Sequence, residues 1–160
     1  MTRRREASFS AYKQCTLQGT CTRAGSQLIF RLPRRLESPN TWGTQQSTWK
    51  KAAARSAWRT HIALAYHSEF REMLTIRPLH EQRRMRLAVA RHVPSEKNFI
   101  RDIDNQFGAL KPFIDALRDL GLLRDDSEAW LEIDRPVQRV SDDRFDWTIA
   151  TLAPVSEVTV

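Results

Sequence analysis

Asp102 and Asp104 lie two residues apart in the string Arg101-Asp102-Ile103-Asp104-Asn105. On an extended chain successive side chains alternate, so both carboxylates would project to one side and Ile103 would point inward. Two carboxylates that close repel each other unless they share a proton or a cation. Oxygen ligands of this kind suit Mg²⁺ or Mn²⁺ rather than zinc. Asp104 could also cap the helix that follows, and the two roles are compatible. A second acidic pair, Asp125-Asp126, follows Gly121-Leu122-Leu123-Arg124. A chain that leaves a helix at Gly121 and turns back could return these carboxylates to the start of that helix, where acidic oxygens would converge. A surface turn carrying acids is the plainer alternative. Lys111 lies seven residues after Asp104, two helical turns along and on the same face, and Gly108 between them would leave that face open. A lysine beside a bound metal can stabilise the charge that builds on phosphate during hydrolysis. An i, i+4 ion pair with Asp115 is its structural alternative.

The elements that must position these groups are read from hydrophobic period and chain breakers. Gln27 to Leu32 reads as a short strand ended by Pro33, and residues 34–46, with Pro39, Asn40 and Gly43, as a loop. Ser47 is an N-cap for a helix to about Tyr66, with Ala54, Trp58, Ile62 and Ala65 on one face. Lys51, Arg55 and Arg59 form an i, i+4 row beside that face, either a solvated surface or a phosphate-contacting ridge. From Arg83 to Val93, Met85, Leu87, Val89 and Val93 point one way and Arg84, Arg86 and His92 the other, which predicts a strand with one buried face. The next helix is expected from Asn105 to Leu120, with Phe107, Leu110, Phe113, Ile114 and Leu117 apolar and Gly121 as its stop. Pro112 inside it should kink or split it. Two further strands are expected near Trp130–Ile133 and Phe145–Leu152, the second with Phe145, Trp147 and Ile149 alternating against Asp146 and Thr148. The order implies an α/β (α+β) domain, a mixed β-sheet of about four strands covered by two helices.

At 160 residues the chain is the size of one domain, with a hydrophobic fraction of 41% and a charged fraction of 28%, ordinary for a globular protein. No run approaches the ~18 consecutive apolar residues of a membrane span, and no apolar segment follows Arg3-Arg4-Arg5 as a secretory signal would require. The net charge of +7 points to a polyanionic partner. Its distribution says more. Residues 1–101 hold 20 Lys/Arg against 6 Asp/Glu, whereas residues 102–160 hold 6 against 13. Acids facing a nucleic acid make sense when a divalent cation sits between them. Cys15 and Cys21 have no Cys or His at zinc-ligand spacing and read as reduced thiols of a cytosolic protein. No His-Glu-x-x-His and no Gly-rich phosphate loop is present. Trp42 and Trp49, near loop positions, could stack on an exposed base.

The string Asp-Ile-Asp-Asn (102–105), then Leu-Lys-Pro-Phe-Ile-Asp-Ala-Leu (110–117), then Gly-Leu-Leu-Arg-Asp-Asp (121–126) resembles the core of RusA-type Holliday junction resolvases. Ser38-Pro39-Asn40 is similar to the loop after the first strand of that family, so the resemblance runs from about Gln27 to Leu152 and is strongest in the centre. It implies a homodimeric, Mg²⁺-dependent endonuclease for branched DNA such as a four-way junction. By the same resemblance Asp102, Asp104 and Asp126 would be the essential metal-holding acids and Lys111 the essential lysine, with Asn105 and Asp125 in support. The Asp104-to-Lys111 interval exceeds the shortest family spacing by about three residues, nearly one helical turn, which keeps Lys111 on roughly the same face.

The expectation is therefore a cytoplasmic crossover-junction endodeoxyribonuclease with no membrane contact, using Mg²⁺ or Mn²⁺. Its domain would span residues 27–152, between a flexible basic arm (1–26) and a short tail (153–160). Lys51, Arg55, Arg59, Arg84, Arg86 and Arg101 are the candidate backbone contacts. A binding protein that kept the fold without turnover, or a metal-dependent nuclease for another nucleic acid, are the alternatives.

Overall fold

The computed structural model describes residues 18–42, 47–70 and 83–155. Cys15, the first part of the expected arm, the loop holding Pro78, His80 and residues 156–160 fall outside them, as does the Trp42 side chain. The described elements run β1 (Thr20–Ala24), β2 (Gln27–Leu32), α1 (Ser47–Phe70), β3 (Met85–Val93), α2 (Ile103–Asp119), β4 (Leu131–Ile133), β5 (Val137–Val140) and β6 (Trp147–Pro154). They form one mixed sheet of six strands with two helices, the expected class with two more strands than read from the sequence. The order is β1-β2-β6-β3-β4, and β5 pairs β3 beyond β4. β4 and β5 lie parallel to β3, at Met85↔Leu131 and Ala90↔Val137. The other neighbours are antiparallel, at Leu28↔Leu152 and Val89↔Ala150.

Several boundaries move for identifiable reasons. β1 lies inside the segment expected as an arm. It is a hairpin partner of β2 turned at Gly25, whose φ of 61° suits glycine, and Cys21 on it is fully buried. Its polar sequence hid it, because a hairpin edge strand needs only one inward residue. β5 was missed for a similar reason. It is four residues long and leaves Val137 and Val140 exposed, so it carries no alternating pattern.

The helical faces hold well. Ala54, Trp58, Ile62 and Ala65 are buried on α1, and Leu110, Phe113, Ile114 and Leu117 on α2, but Phe107 is exposed. The helices meet where Trp58 stands edge-on to Phe113, with ring centroids 5.1 Å apart at 85°. Such a pair contributes about 0.5–1.5 kcal/mol beyond its buried area. On β3 the expected inward set Met85, Leu87, Val89 and Val93 is buried. On β6 Trp147 is buried as expected, but beyond it the phase is reversed. Thr148, Ala150 and Leu152 are fully buried, while Ile149 is only half-buried. β6 is a central strand, and the buried Thr148 hydroxyl donates to the Arg34 carbonyl at 2.6 Å, so a polar residue could take the inward phase. No described helix is long and apolar enough to cross a membrane.

α2 runs as one helix across Pro112 rather than splitting there. It ends in the expected way. Gly121 has φ 72°, its N–H donates to the Arg118 carbonyl at 3.0 Å, and Leu122 N–H donates to Leu117 at 2.9 Å, a Schellman closure. Near its start, Gly108 does not leave an open face. A Cβ there would lie 2.7 Å from Cγ of Pro39, so the glycine is where the loop of residues 38–40 docks on the helix.

That contact decides the sign of a substitution. Gly108→Ala gains up to about 1 kcal/mol of helix propensity but overpacks a rigid proline ring, which costs about 1–3 kcal/mol. The variant should unfold at lower denaturant than the parent, and in a Pro39→Ala background the same change should become neutral or stabilising. An unchanged midpoint in the parent background would mean that the loop yields without cost.

Candidate active site

The acids at the head of α2 are placed by the segment that feeds it. After β3, Ser95 accepts from Lys97 N–H and starts a single turn over Glu96–Asn98, and the chain then extends to Asp102. Buried Ile100 anchors this stretch. Its N–H donates to Gln138 Oε1 at 2.8 Å, and its carbonyl accepts from Gln138 Nε2 at 2.8 Å and Gln106 Nε2 at 2.9 Å. One side-chain amide on β5 thus ties both backbone groups of Ile100, as a neighbouring strand would. Gln138 is a positioning residue that the sequence did not announce, since β5 was not recognised.

Asp102 is the N-cap, with φ −79° and ψ 129°, and its Oδ1 accepts from Asp104 N–H at 3.0 Å. The extended chain therefore stops at Asp102, and Ile103 is already helical and 40% exposed. This corrects the expected alternation. The two carboxylates sit at the cap and first turn of one helix, not on one face of a strand, and Asp102 rather than Asp104 is the cap. Asn105 Nδ2 donates to Asp102 Oδ2 at 3.0 Å, a supporting contact. Asp104 is exposed, and its carboxylate makes no hydrogen bond or ion pair among the described residues. Negative charge is favourable at this helix end, which lowers the cost of holding two acids together.

Beyond Gly121 the buried Leu122 and Leu123 hold the chain against the core. Asp125 then closes its own turn, its Oδ1 accepting from Asp126 N–H at 2.9 Å and its Oδ2 from Ser127 Oγ at 2.8 Å. Asp126 points back at α2. Its Oδ2 accepts from Lys111 Nζ, and its Oδ1 accepts from Arg118 at 3.0 Å. Lys111 also lies 3.0 Å from Asp115, and Arg118 3.6 Å from the same carboxylate. The Lys111 bond, followed by the nearby cationic charge, pulls Asp126 down to about 2 against the opposing effect of burial. The same bond raises Lys111.

Asp126 does return to α2, but to its middle and last turn at Lys111 and Arg118 rather than to its start, and the Lys111–Asp115 pair is present. The expected convergence of Asp102, Asp104 and Asp126 is not. Among the described residues no three His, Cys, Asp or Glu side chains stand together as a metal-ligand group. The physical reason is position: Asp126 is held at Lys111 and Arg118, about two and four helical turns along α2 from Asp104. The donor chemistry fits Mg²⁺, with three carboxylates and oxygen ligands only, and Asp104 is fully available. As described the three do not form one ligand set, and Asp126 would have to leave Lys111 and Arg118 and approach the head of α2 to join Asp102 and Asp104.

Of the six candidate phosphate contacts, three are engaged. Arg55 pairs with Asp119, while Arg84 and Arg86 lie 3.4 and 3.0 Å from Glu132. Lys51, Arg59 and Arg101 are exposed and form no ion pair among the described residues. Trp49 is 82% exposed on α1. A cleft of about 550 Å³ opens beside Asp102 and Asn105, walled by Ser38 and Asn40 and floored by Arg91. Arg91 is only 5% exposed and is pushed down to about 10 by its burial. The β3 alternation could have found it, for it occupies the inward phase between Val89 and Val93.

No protein-family model and no curated protein matches this sequence. Among solved structures the chain is similar to the OmpA-like domain of FopA1 from Francisella tularensis subsp. tularensis SCHU S4. The identity is 13%, over 91% of this chain and 88% of that one. The TM-score of 0.29 is too low to carry an argument about fold or function.

Because Asp126 is held below the ordinary carboxylate range, its ion pairs stabilise the fold above about pH 4, the unfolded value. That contribution is lost as pH falls through the folded value of about 2. Wild type and Asp126→Asn should therefore differ in Tm at pH 7 and converge near pH 2. A gap that persists at low pH would show that the Asp126 contacts are not electrostatic in origin.

Proposed function

We propose that this chain is an Mg²⁺-dependent endonuclease for branched DNA, of the RusA-type junction-resolving kind, acting as a homodimer in the cytoplasm. The observation that carries the reading is the Lys111–Asp126 contact, which joins the second acidic motif to the helix headed by Asp102 and Asp104. Those segments are the ones that resemble the resolvase core, and the contact links them across 15 residues of chain.

Asp102, Asp104 and Asp126 would hold Mg²⁺, with Mn²⁺ as a substitute. When bound, the ion supplies a water of lowered pKa and neutralises charge on the phosphate. Asn105 fixes the Asp102 carboxylate by its 3.0 Å hydrogen bond. Lys111, 56% exposed, can present Nζ to a phosphate oxygen and offset the charge that grows there. Arg101 lies directly before Asp102, so it meets the strand at the reacting phosphodiester, and Lys51 and Arg59 add sequence-independent affinity. Arg55, Arg84 and Arg86 contribute less, because their charges are already answered by Asp119 and Glu132. Two copies related by a two-fold axis would present two such sites to the two strands of a four-way junction.

A second reading, a structure-selective binding protein without turnover, is favoured by one observation. Both Asp126 oxygens are neutralised by Lys111 and Arg118, a stable arrangement that needs no ion.

A synthetic four-way junction with Mg²⁺ separates the two readings. Paired symmetric cuts are expected from the wild type and none on linear duplex. Asp104→Asn and Lys111→Ala should each cut more slowly by about 10²–10³-fold, while junction binding in Ca²⁺ changes only a few-fold. Tight binding with no cleavage in either Mg²⁺ or Mn²⁺ would establish the binding protein instead.

A further inference from the structure

The cleft beside Asp102 has a floor of unusual chemistry. Arg91 is 5% exposed, and each acceptor it bonds is neutral. Its Nε donates to the Leu36 carbonyl at 2.8 Å, and one terminal nitrogen donates to the Asn98 carbonyl at 2.7 Å and to Gln138 Oε1 at 3.1 Å. Among the described residues no carboxylate lies within ion-pair distance of it. The acid that acts on it from farther off, Asp146, lies 3.9 Å from Arg35. A buried cation held only by neutral dipoles is costly, and an anion entering the cleft would relieve that cost.

The walls are suited to more than a bare anion. Arg101 adds an exposed positive charge to the lining, Arg35 adds one shared with Asp146 at 3.9 Å, and Phe99 offers a half-buried ring. The Asn40 and Asn98 side-chain amides make no hydrogen bond among the described residues, which leaves donors and acceptors for a base edge. Glu37 and Asp102 also border the cleft, and Asp102 is a metal ligand in the reading above. The volume of about 550 Å³ lies within the range of roughly 300–1,000 Å³ typical of small-ligand sites. The wall is rigid, because Pro39 is packed on Gly108 and Ile100 is clamped by Gln138.

We propose that this cleft seats one unpaired nucleotide of the substrate strand, its phosphate facing Arg35, Arg91 and Arg101 and its base against Phe99 and the amides of Asn40 and Asn98. The inference rests on the nucleic-acid reading above and deepens it. The nucleotide next to the reacting phosphodiester leaves the stack and is gripped beside Asp102. Stacking on a ring and hydrogen bonds to a base edge are how single-stranded nucleotides are held elsewhere. A strand exchange point, where bases are readily unpaired, would be selected over continuous duplex by this step.

The test is a titration of the full isotope-labelled chain with deoxythymidine monophosphate and, separately, with inorganic phosphate, followed by NMR at the Asn40 and Asn98 amides and the Arg101 guanidinium. The nucleotide should shift all three. Asn40→Glu, an exposed change that removes the amide donor offered to the base edge and adds negative charge to a cleft that takes an anion, should weaken binding by about tenfold. No shift in the wild type up to saturating nucleotide overturns the proposal. So does binding of inorganic phosphate as tight as that of the nucleotide, which leaves the base without a role, or an Asn40→Glu affinity equal to the parent. Junction cleavage measured alongside keeps the two claims apart. Cleavage without nucleotide shifts removes the cleft and leaves the endonuclease, and nucleotide shifts without cleavage do the reverse.

Discussion

The placement of α2 is the constraint on which the site depends. Its buried stripe of Leu110, Phe113 and Leu117 sets the helix on the sheet and against α1, and its two ends are then held separately. At the head, Asp102 caps the first turn while Gln138 grips the backbone two residues earlier. At the tail, the left-handed Gly121 reverses the chain so that Asp126 returns to Lys111 and Arg118. Asp102, Asp104 and Asp126 are thus each within a few residues of a point held by backbone hydrogen bonds. That is how a polar site can be held in one geometry without a large buried network.

The charges around that helix follow a single logic. Acids are gathered where a helix N-terminus favours them, and the carboxylate farthest from that terminus, Asp126, is balanced by side-chain cations. On the other side of Asp102 the imbalance has the opposite sign, with Arg91 buried against neutral acceptors. The described surface thus sets a cleft lined by Arg35, Arg91 and Arg101 next to the two acids at the head of α2. Such an alternation suits a strand whose phosphates contact protein cations on one side and carboxylates, through an ion, on the other.

Much of this was legible in the residues, and the misses have physical causes. The faces of α1 and β3 were readable because their apolar period is long and unbroken. The Gly121 stop was readable because a left-handed residue after a periodic run has few other meanings. The start of α2 was misread because a period of two and a helix cap predict different directions for the same Asp-x-Asp string, and only the backbone at Asp102 decides between them. Arg91 was passed over because a charge in an inward phase looks like an interruption, and Gln138 because it acts from a strand too short to leave a pattern. Gly108 was read as open space when it is a docking point, since a glycine reports that something is close without saying what. The partnership of Asp126 with Lys111 could be anticipated as a return of the chain, but not that side-chain cations would hold both its oxygens.

The sheet order has a consequence for how the molecule comes into being. β6 lies between β2 and β3, so its register with Leu28–Leu32 joins residues more than a hundred positions apart. Until residues 147–154 have been synthesised, the two sides of the sheet have no common strand, and β3 lacks its antiparallel neighbour. Contacts this distant in sequence are slow to form, because the chain must close a long loop before any pairing rewards it. The complete sheet beneath α2 therefore cannot assemble before residues 147–154 have been made. The acids at the head of α2 and the cleft over Arg91 come to rest on one continuous sheet only after β6 exists, which separates in time the synthesis of these residues from the assembly of their surroundings.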